Sequence, residues 1–260
     1  MANRANPKTY VVLHDIHFPK TNWPAFNAVR DFISKNKIAG ITLGGDQLDF
    51  EEISHHTKGK GLYRLPGTYL KNVKGFDEKI LTPLEAALPK GIPKVYHIGN
   101  HERFEYDFIE SHPELQDAVD HVKILKLEQR GWQIIPLGHS SKLGKLTVIH
   151  GEILTGIGNQ AGMYPSRKAA ELFGTSVLAG HTHAPQSFAK ISPVERTQKH
   201  MGWIAPCLCD VNPGYLRNRP TAWLNGFSIV EVRDDGAFNV FPIIVWDGRF
   251  SYGGRTYGKE

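Results

Sequence analysis

At 260 residues and 29.1 kDa the chain is long enough for one sizeable core, and an α/β chain of this length commonly stays undivided, so residues 1–260 are expected to form a single domain. A mean hydropathy of -0.33, 22% charged residues and no apolar run near the roughly 20 residues a bilayer requires argue against a membrane protein, and the start Met1-Ala-Asn-Arg-Ala-Asn-Pro7 lacks the apolar block of a signal peptide, so a cytoplasmic location is expected. Two cysteines, Cys207 and Cys209, exclude a disulfide framework, while the net charge of +5 and pI near 9.1 favour an anionic partner such as nucleic acid.

In chain order, the apolar run Tyr10–Leu13 reads as a strand. Trp23–Asn36 follows as a helix, with Pro24 in its first turn and Phe26, Val29, Phe32 and Ile33 at helical spacing, and Gly40–Leu43 is the next strand. A helix is expected over Phe76–Leu88, broken by Pro83, then a strand at Lys94–Ile98 and a helix at Pro113–Arg130. Strands at Leu146–Ile149 and Ser176–Ala179 enclose a helix at Ser166–Phe173 that stops before Gly174. Near the end, Gly226–Val232 and Ala237–Val245 flank Asp234-Asp235-Gly236 as a β-hairpin, so the sheet becomes mixed. The class is layered α/β.

Each of the five central strands runs directly into a polar cluster: His14-Asp15-Ile16-His17, Gly44-Gly45-Asp46-Gln47-Leu48-Asp49, Gly99-Asn100-His101-Glu102, His150-Gly151-Glu152 and Gly180-His181-Thr182-His183. Open α/β sheets bind ligands beyond the carboxyl ends of their strands, so these clusters can converge. Asp15 and His17, two apart on extended chain, can face one ion, and the donors are oxygen and imidazole without thiolate, which suits manganese, iron, zinc or nickel. The inventory exceeds what one ion needs, so two divalent ions are expected.

The series D-x-H, G-D-x-x-D, G-N-H-E, H and G-H-x-H, carried by Asp15 to His183, resembles the calcineurin-like metallophosphoesterases, and most closely their compact bacterial and phage members. The resemblance implies a layered α/β/β/α fold with mixed central sheets flanked by helices. It implies that Asp15, His17 and His183 hold one ion, that Asn100, His150 and His181 hold the other, that Asp46 bridges them, and that manganese is the first expectation among the suitable metals. It also implies a metal-bridging hydroxide as nucleophile and His101 beside the metals, stabilising phosphoryl oxygens or protonating the leaving oxygen.

The substrate is less constrained. Phosphodiester hydrolysis, with DNA or RNA as candidate substrates, is the leading reading. A phosphomonoesterase acting on phosphoprotein or nucleotide and a noncatalytic metal-binding scaffold are the alternatives. Protein phosphatases of the family place arginines where this chain has Phe50 and Ile98, and repair nucleases of the family carry aspartate where it has Glu102. Arg103, His55, His56, Tyr215 and Arg217 are the candidate substrate contacts. The basic insertion at 50–75 interleaves Lys58, Lys60, Arg64, Lys71 and Lys74 with Tyr63 and Tyr69, a pattern that could track a phosphate backbone, and residues 195–260 form C-terminal strands and tail. His14, His97 and His139 read as packed, His112, His121 and His200 as loop or helix-surface residues, and Trp223 as core.

Overall fold

Side-chain alternation along the strands assigns the layers of the computed structural model, which describes residues 6–57, 59, 61, 68–156, 164–195, 199–214 and 219–258. One sheet orders its strands β11-β10-β1-β2-β3-β4, where β1 is Lys8–Leu13, β2 Ile38–Leu43, β3 Lys94–His97, β4 Trp132–Ile135, β10 Gly226–Val232 and β11 Phe238–Ile244. The other orders them β5-β6-β7-β9-β8, with β5 Ser141–Leu143, β6 Leu146–Ile149, β7 Val177–Ala179, β8 Gln186–Ile191 and β9 Lys199–Ile204. From β1, Val11 and Leu13 enter one buried cluster with Phe26, Val29, Phe32 and Ile33 of helix α1 (Trp23–Lys35), whereas Val12 enters a second with Leu146, Val148, Leu178 and Trp203 of the other sheet. Helix α7 (Pro165–Phe173) covers the far face of that sheet through Ala169, packed with Ile149, Val177 and Ala179. The order is therefore helix, sheet, sheet, helix, as expected from the resemblance. Each fully buried aliphatic at the sheet-to-sheet seam contributes about 1.5 to 3 kcal/mol.

Both sheets are mixed. β1-β2-β3-β4 and β6-β7-β9 run parallel, while β10, β11, β5 and β8 pair antiparallel. The parallel strands point their carboxyl ends the same way within each sheet, which gathers the polar clusters. Helix α1 starts where Asn22 accepts the N–H of Ala25 at 3.0 Å, and Gly174 ends α7 in left-handed conformation at φ 57°.

Two expectations need correction. The helix placed at Phe76–Leu88 begins earlier: α2 (Thr68–Phe76) passes through a π-helical stretch, Asp77–Leu81, into α3 (Thr82–Ala87), with Thr82 N–H bonded to Asp77 O just before Pro83, which has no N–H to donate. The helix placed at Pro113–Arg130 breaks into a 3-10 turn at Pro113–Leu115 and a short α5 (His121–Ile124), because Asp120 is extended and its carboxylate caps Lys123 N–H at 3.0 Å. Helix α4 (Arg103–Ser111), which starts directly behind the third polar cluster, was not foreseen, nor were β4, β8 and β9. No helix among the described residues is long and apolar enough to cross a membrane.

Candidate metal centre

Where the central strands end, the backbone curls. Asp15, His17, Asp46, His181 and His183 all adopt left-handed φ between 47° and 67°, which L residues rarely do and which is tolerated here because surrounding contacts over-determine it. Asp15 N–H donates to Gly45 O and His17 N–H to Asp46 O, tying the β1 exit to the β2 exit. Gly99 must be glycine, since a Cβ there would collide with the Asp46 carboxylate and backbone nitrogen.

The side chains meet at the seam between the sheets. Asp46 Oδ2 lies 3.7 Å from His17 Nε2 and 3.3 Å from His150 Nε2. On one side, His183 Nε2 is 3.4 Å from Asp15 Oδ1 and 3.3 Å from His17 Nε2. On the other, Asn100 Oδ1 is 2.9 Å from His150 Nε2, and His181 packs its ring 5.2 Å from that of His150. Donor atoms of Asp15, His17 and Asp46 lie within 4.8 Å of one another, and so do those of Asp46, His150 and His181. The seven sequence-derived metal candidates thus come together, and Asp46 belongs to both groups.

These groups fit divalent cations. Asp15 is fully buried, its Oδ2 accepts the N–H of His181 at 2.8 Å, and its Oδ1 has no hydrogen-bond partner although it faces His17 and His183. An anionic oxygen buried without a donor is costly unless a cation completes it. Burial pulls His150 and His183 down, but the charges of Asp46 and Asp15 outweigh it and raise them to about 10 and about 9. Burial lowers His181 to about 4, so that ring is neutral at pH 7, the form in which imidazole binds metal.

A second layer aims the donors. His150 Nδ1–H donates to Gly44 O at 3.1 Å, which directs Nε2 inward. His17 Nδ1 meets Asp49 Oδ1 at 3.0 Å, and Lys20 Nζ holds Asp49 Oδ2 at 2.8 Å and Glu51 Oε1 at 2.5 Å. Burial raises Asp49, but its hydrogen bond to His17 and the nearby cations outweigh it and hold the carboxyl at about 2. Glu102 accepts four backbone N–H groups, from Asp46 at 3.0 Å, Gln47 at 2.6 Å, Leu48 at 3.1 Å and Gly99 at 2.8 Å, and so fixes the loop that presents Asp46.

His101 donates its backbone N–H to Asp46 Oδ1 at 2.9 Å and places Nδ1 2.7 Å from Asp49 O, so a proton offered to substrate must sit on Nε2. Burial lowers its pKa, but Asp46 and Asp49 raise it by more, above the ordinary histidine value. Beside it opens a cavity of about 740 Å³ lined by His55, His56, Arg103, Phe104 and Asp107, among others. Arg103 is exposed and engages Asp107 at 3.4 Å, so it lies on the rim. Tyr215 and Arg217 fall outside the described residues, as do Lys58, Lys60, Tyr63 and Arg64. Tyr69 does not face outward for stacking. It stacks on Phe50 at 5.4 Å and donates its hydroxyl to Glu105.

Further readings change. His121 is buried, with Nδ1 2.6 Å from Glu105 Oε2, and His200 lies on β9. His14 and His97 are packed as expected, burial lowering them to about 4 and about 3, whereas His139 is exposed. Trp223 sets its ring edge-on to His183 at 4.3 Å, and Cys209 Sγ lies 3.7 Å from His183 Nδ1, so both belong to the site's surroundings. Without β9 in the expected topology, nothing in the sequence carried the chain from its exit back over His183. A hydrogen bond with Cys207, with burial added, pushes the Cys209 thiol well up, which keeps a neutral thiol beside the ring.

This is a metallophosphoesterase-like fold with candidate metal-binding His/Asp clusters at its strand ends. No family model matches the chain. It is similar to the "Gene 54 protein" of Mycobacterium phage D29, 27% identical over 273 residues that span 96% of this chain and 98% of that one. Among solved structures it is similar to Vps29 complexed with Zn+2 from Entamoeba histolytica, at 13% identity and TM-score 0.46 over 94% of this chain and 96% of that one. A dimetal phosphatase from Danio rerio is also similar, at 9% identity and TM-score 0.43 over 88% and 94%.

Proposed function

We propose that the protein is a dinuclear metal-dependent phosphodiesterase of the calcineurin-like class, acting as one domain, with DNA or RNA among its candidate substrates. The observation that carries this is the position of Asp46 Oδ2, 3.7 Å from His17 Nε2 and 3.3 Å from His150 Nε2, one carboxylate shared by two donor groups. Asp15, His17 and His183 would hold one ion, Asn100, His150 and His181 the other, and Asp46 both. Manganese is the first expectation, with iron, zinc or nickel as alternatives, since the donors are oxygen and imidazole. When bound, such a pair supplies Lewis-acid polarisation of the phosphate and a water acidic enough to attack at neutral pH.

The chain's own residues supply the rest. His101 Nε2 donates a proton to the leaving oxygen, its ring fixed by Asp49 O. Asp49 holds His17 in the tautomer and orientation that leaves Nε2 toward Asp46. Among the described residues, Lys20 and Arg103 spend their charge on carboxylates, which suits a singly charged diester better than a doubly charged monoester. The likeness to a phage protein supports action in the cytoplasm of an infected bacterium.

The test is metal-reconstituted protein assayed against a diester, a monoester and labelled single- and double-stranded DNA. Diester hydrolysis is expected to dominate. Monoester turnover far above diester turnover would assign a phosphomonoesterase instead, and no hydrolysis with manganese, iron, zinc or nickel would leave a metal-binding scaffold.

A further inference from the structure

The cavity beside His101 is built differently from the metal centre it adjoins. Asn100, His101 and Asp49 form the wall shared with that centre. Away from it the lining turns aromatic. His55 and His56 lie with ring centroids 3.8 Å apart, and both present themselves to Phe104, at 5.6 Å and 5.9 Å. Phe104, itself buried, packs 5.0 Å from the His101 ring, so an aromatic cluster runs from the proton donor out to the exposed His55 and His56. The charges around it are already matched, Glu51 with Lys20 and Arg103 with Asp107. A volume of about 740 Å³ lies within the range of small-molecule sites.

A group that leaves through a proton from His101 departs into this cavity. Among the described residues the lining offers aromatic and imidazole rings, and Arg103 is paired with Asp107, which favours a planar heteroaromatic body over a further run of phosphates. The geometry points to a nucleoside as the leaving alcohol: the cavity of His55, His56 and Phe104 is the subsite that stacks its base while His101 protonates its oxygen. This rests on the phosphodiesterase reading above and names the substrate class within it. In the step, a water oxygen forms a new bond to phosphorus and the bond from phosphorus to the nucleoside oxygen breaks. That oxygen takes the proton from His101 Nε2, and the proton lost by the water returns to the imidazole through solvent.

Two measurements separate the subsite from the reaction. In the first, the metal-free full-length chain is titrated with adenosine while the imidazole proton resonances of His55 and His56 are followed, with ribose as the non-aromatic control. Adenosine is expected to shift both signals saturably and ribose not to. Because His55 and His56 are exposed, the double variant His55→Ala/His56→Ala should fold, and its adenosine affinity, followed on the remaining site resonances, should be at least about fivefold weaker, the lower end of base-stacking contributions. No adenosine binding by the native chain, or equal affinity in the variant, overturns the subsite whatever the catalytic activity. In the second, the metal-loaded protein is given the methyl diester of adenosine 5'-phosphate. Release of adenosine with methyl phosphate is expected, and the variant should lose that preference; release of methanol with adenosine 5'-phosphate would overturn the assignment. Binding of adenosine without hydrolysis of any ester would instead defeat the phosphodiesterase reading and leave a nucleoside site.

Discussion

The exits of the first sheet bring Asp15, His17, Asp46 and Asn100 to the centre, whereas those of the second bring imidazoles, His150, His181 and His183. The two halves are also held differently. Glu102 takes four backbone N–H groups of the Asp46 and Gly99 loops, and Lys20 and Asp49 brace His17, so the first half is fastened within its own sheet. The second half is fastened across the seam: His150 Nδ1–H donates to Gly44 O, and His181 N–H donates to Asp15 Oδ2. The difference teaches that the oxygen-rich half is a preformed platform, while the imidazole half takes its geometry from docking onto it.

The largest break in this contrast is expected at the one residue both halves share. Asp46→Asn should reduce bound metal to one ion per chain or fewer and cut diester turnover by about a thousandfold, since several kcal/mol of transition-state stabilisation depend on the paired ions. Elemental analysis with kinetics measures both, and two ions with native turnover would show that the halves do not meet at Asp46. A smaller loss, about a hundredfold, is expected for His101→Asn, with metal content retained because His101 works beside the ligands. Loss of metal in that variant would make His101 a ligand.

Stability sharpens the same comparison. Glu102→Gln should lower unfolding free energy by about 3 kcal/mol in urea titrations, because the amide turns an N–H₂ toward buried N–H donors. A loss within error would mean the platform is not held there. The smallest effect concerns pH. Burial lowers His121, but the Glu105 carboxylate at 2.6 Å raises it by more, so its folded pKa lies above its unfolded one. That pair stabilises the fold fully below the unfolded value of about 6.5 and ceases to do so as pH climbs through the folded value. His121→Gln should flatten that alkaline slope of stability, and an unchanged slope would assign it to other groups.

The ligand clusters were legible in the sequence because each follows a continuous apolar strand, and buried parallel strands leave that signature whatever packs on them. The four-layer order was legible only through the motif resemblance. What escaped was structure set by tertiary contact. The Pro113–Arg130 segment keeps helical composition but yields to the Asp120 cap, and β8 leaves most of its side chains exposed, so no apolar run announces it. Cys209 and Trp223 reach His183 through chain reversals after β9 that no local pattern encodes. That Glu102 gathers four N–H groups required the folded loops.

The central claim is that one carboxylate joins two metal sites at the seam between the sheets. Anomalous diffraction from crystals loaded with manganese tests it directly. Two peaks are expected about 3.5 to 4 Å apart with the Asp46 carboxylate between them, one against Asp15, His17 and His183 and the other against Asn100, His150 and His181. A single peak, or two peaks of which either lies away from Asp46, would contradict the account.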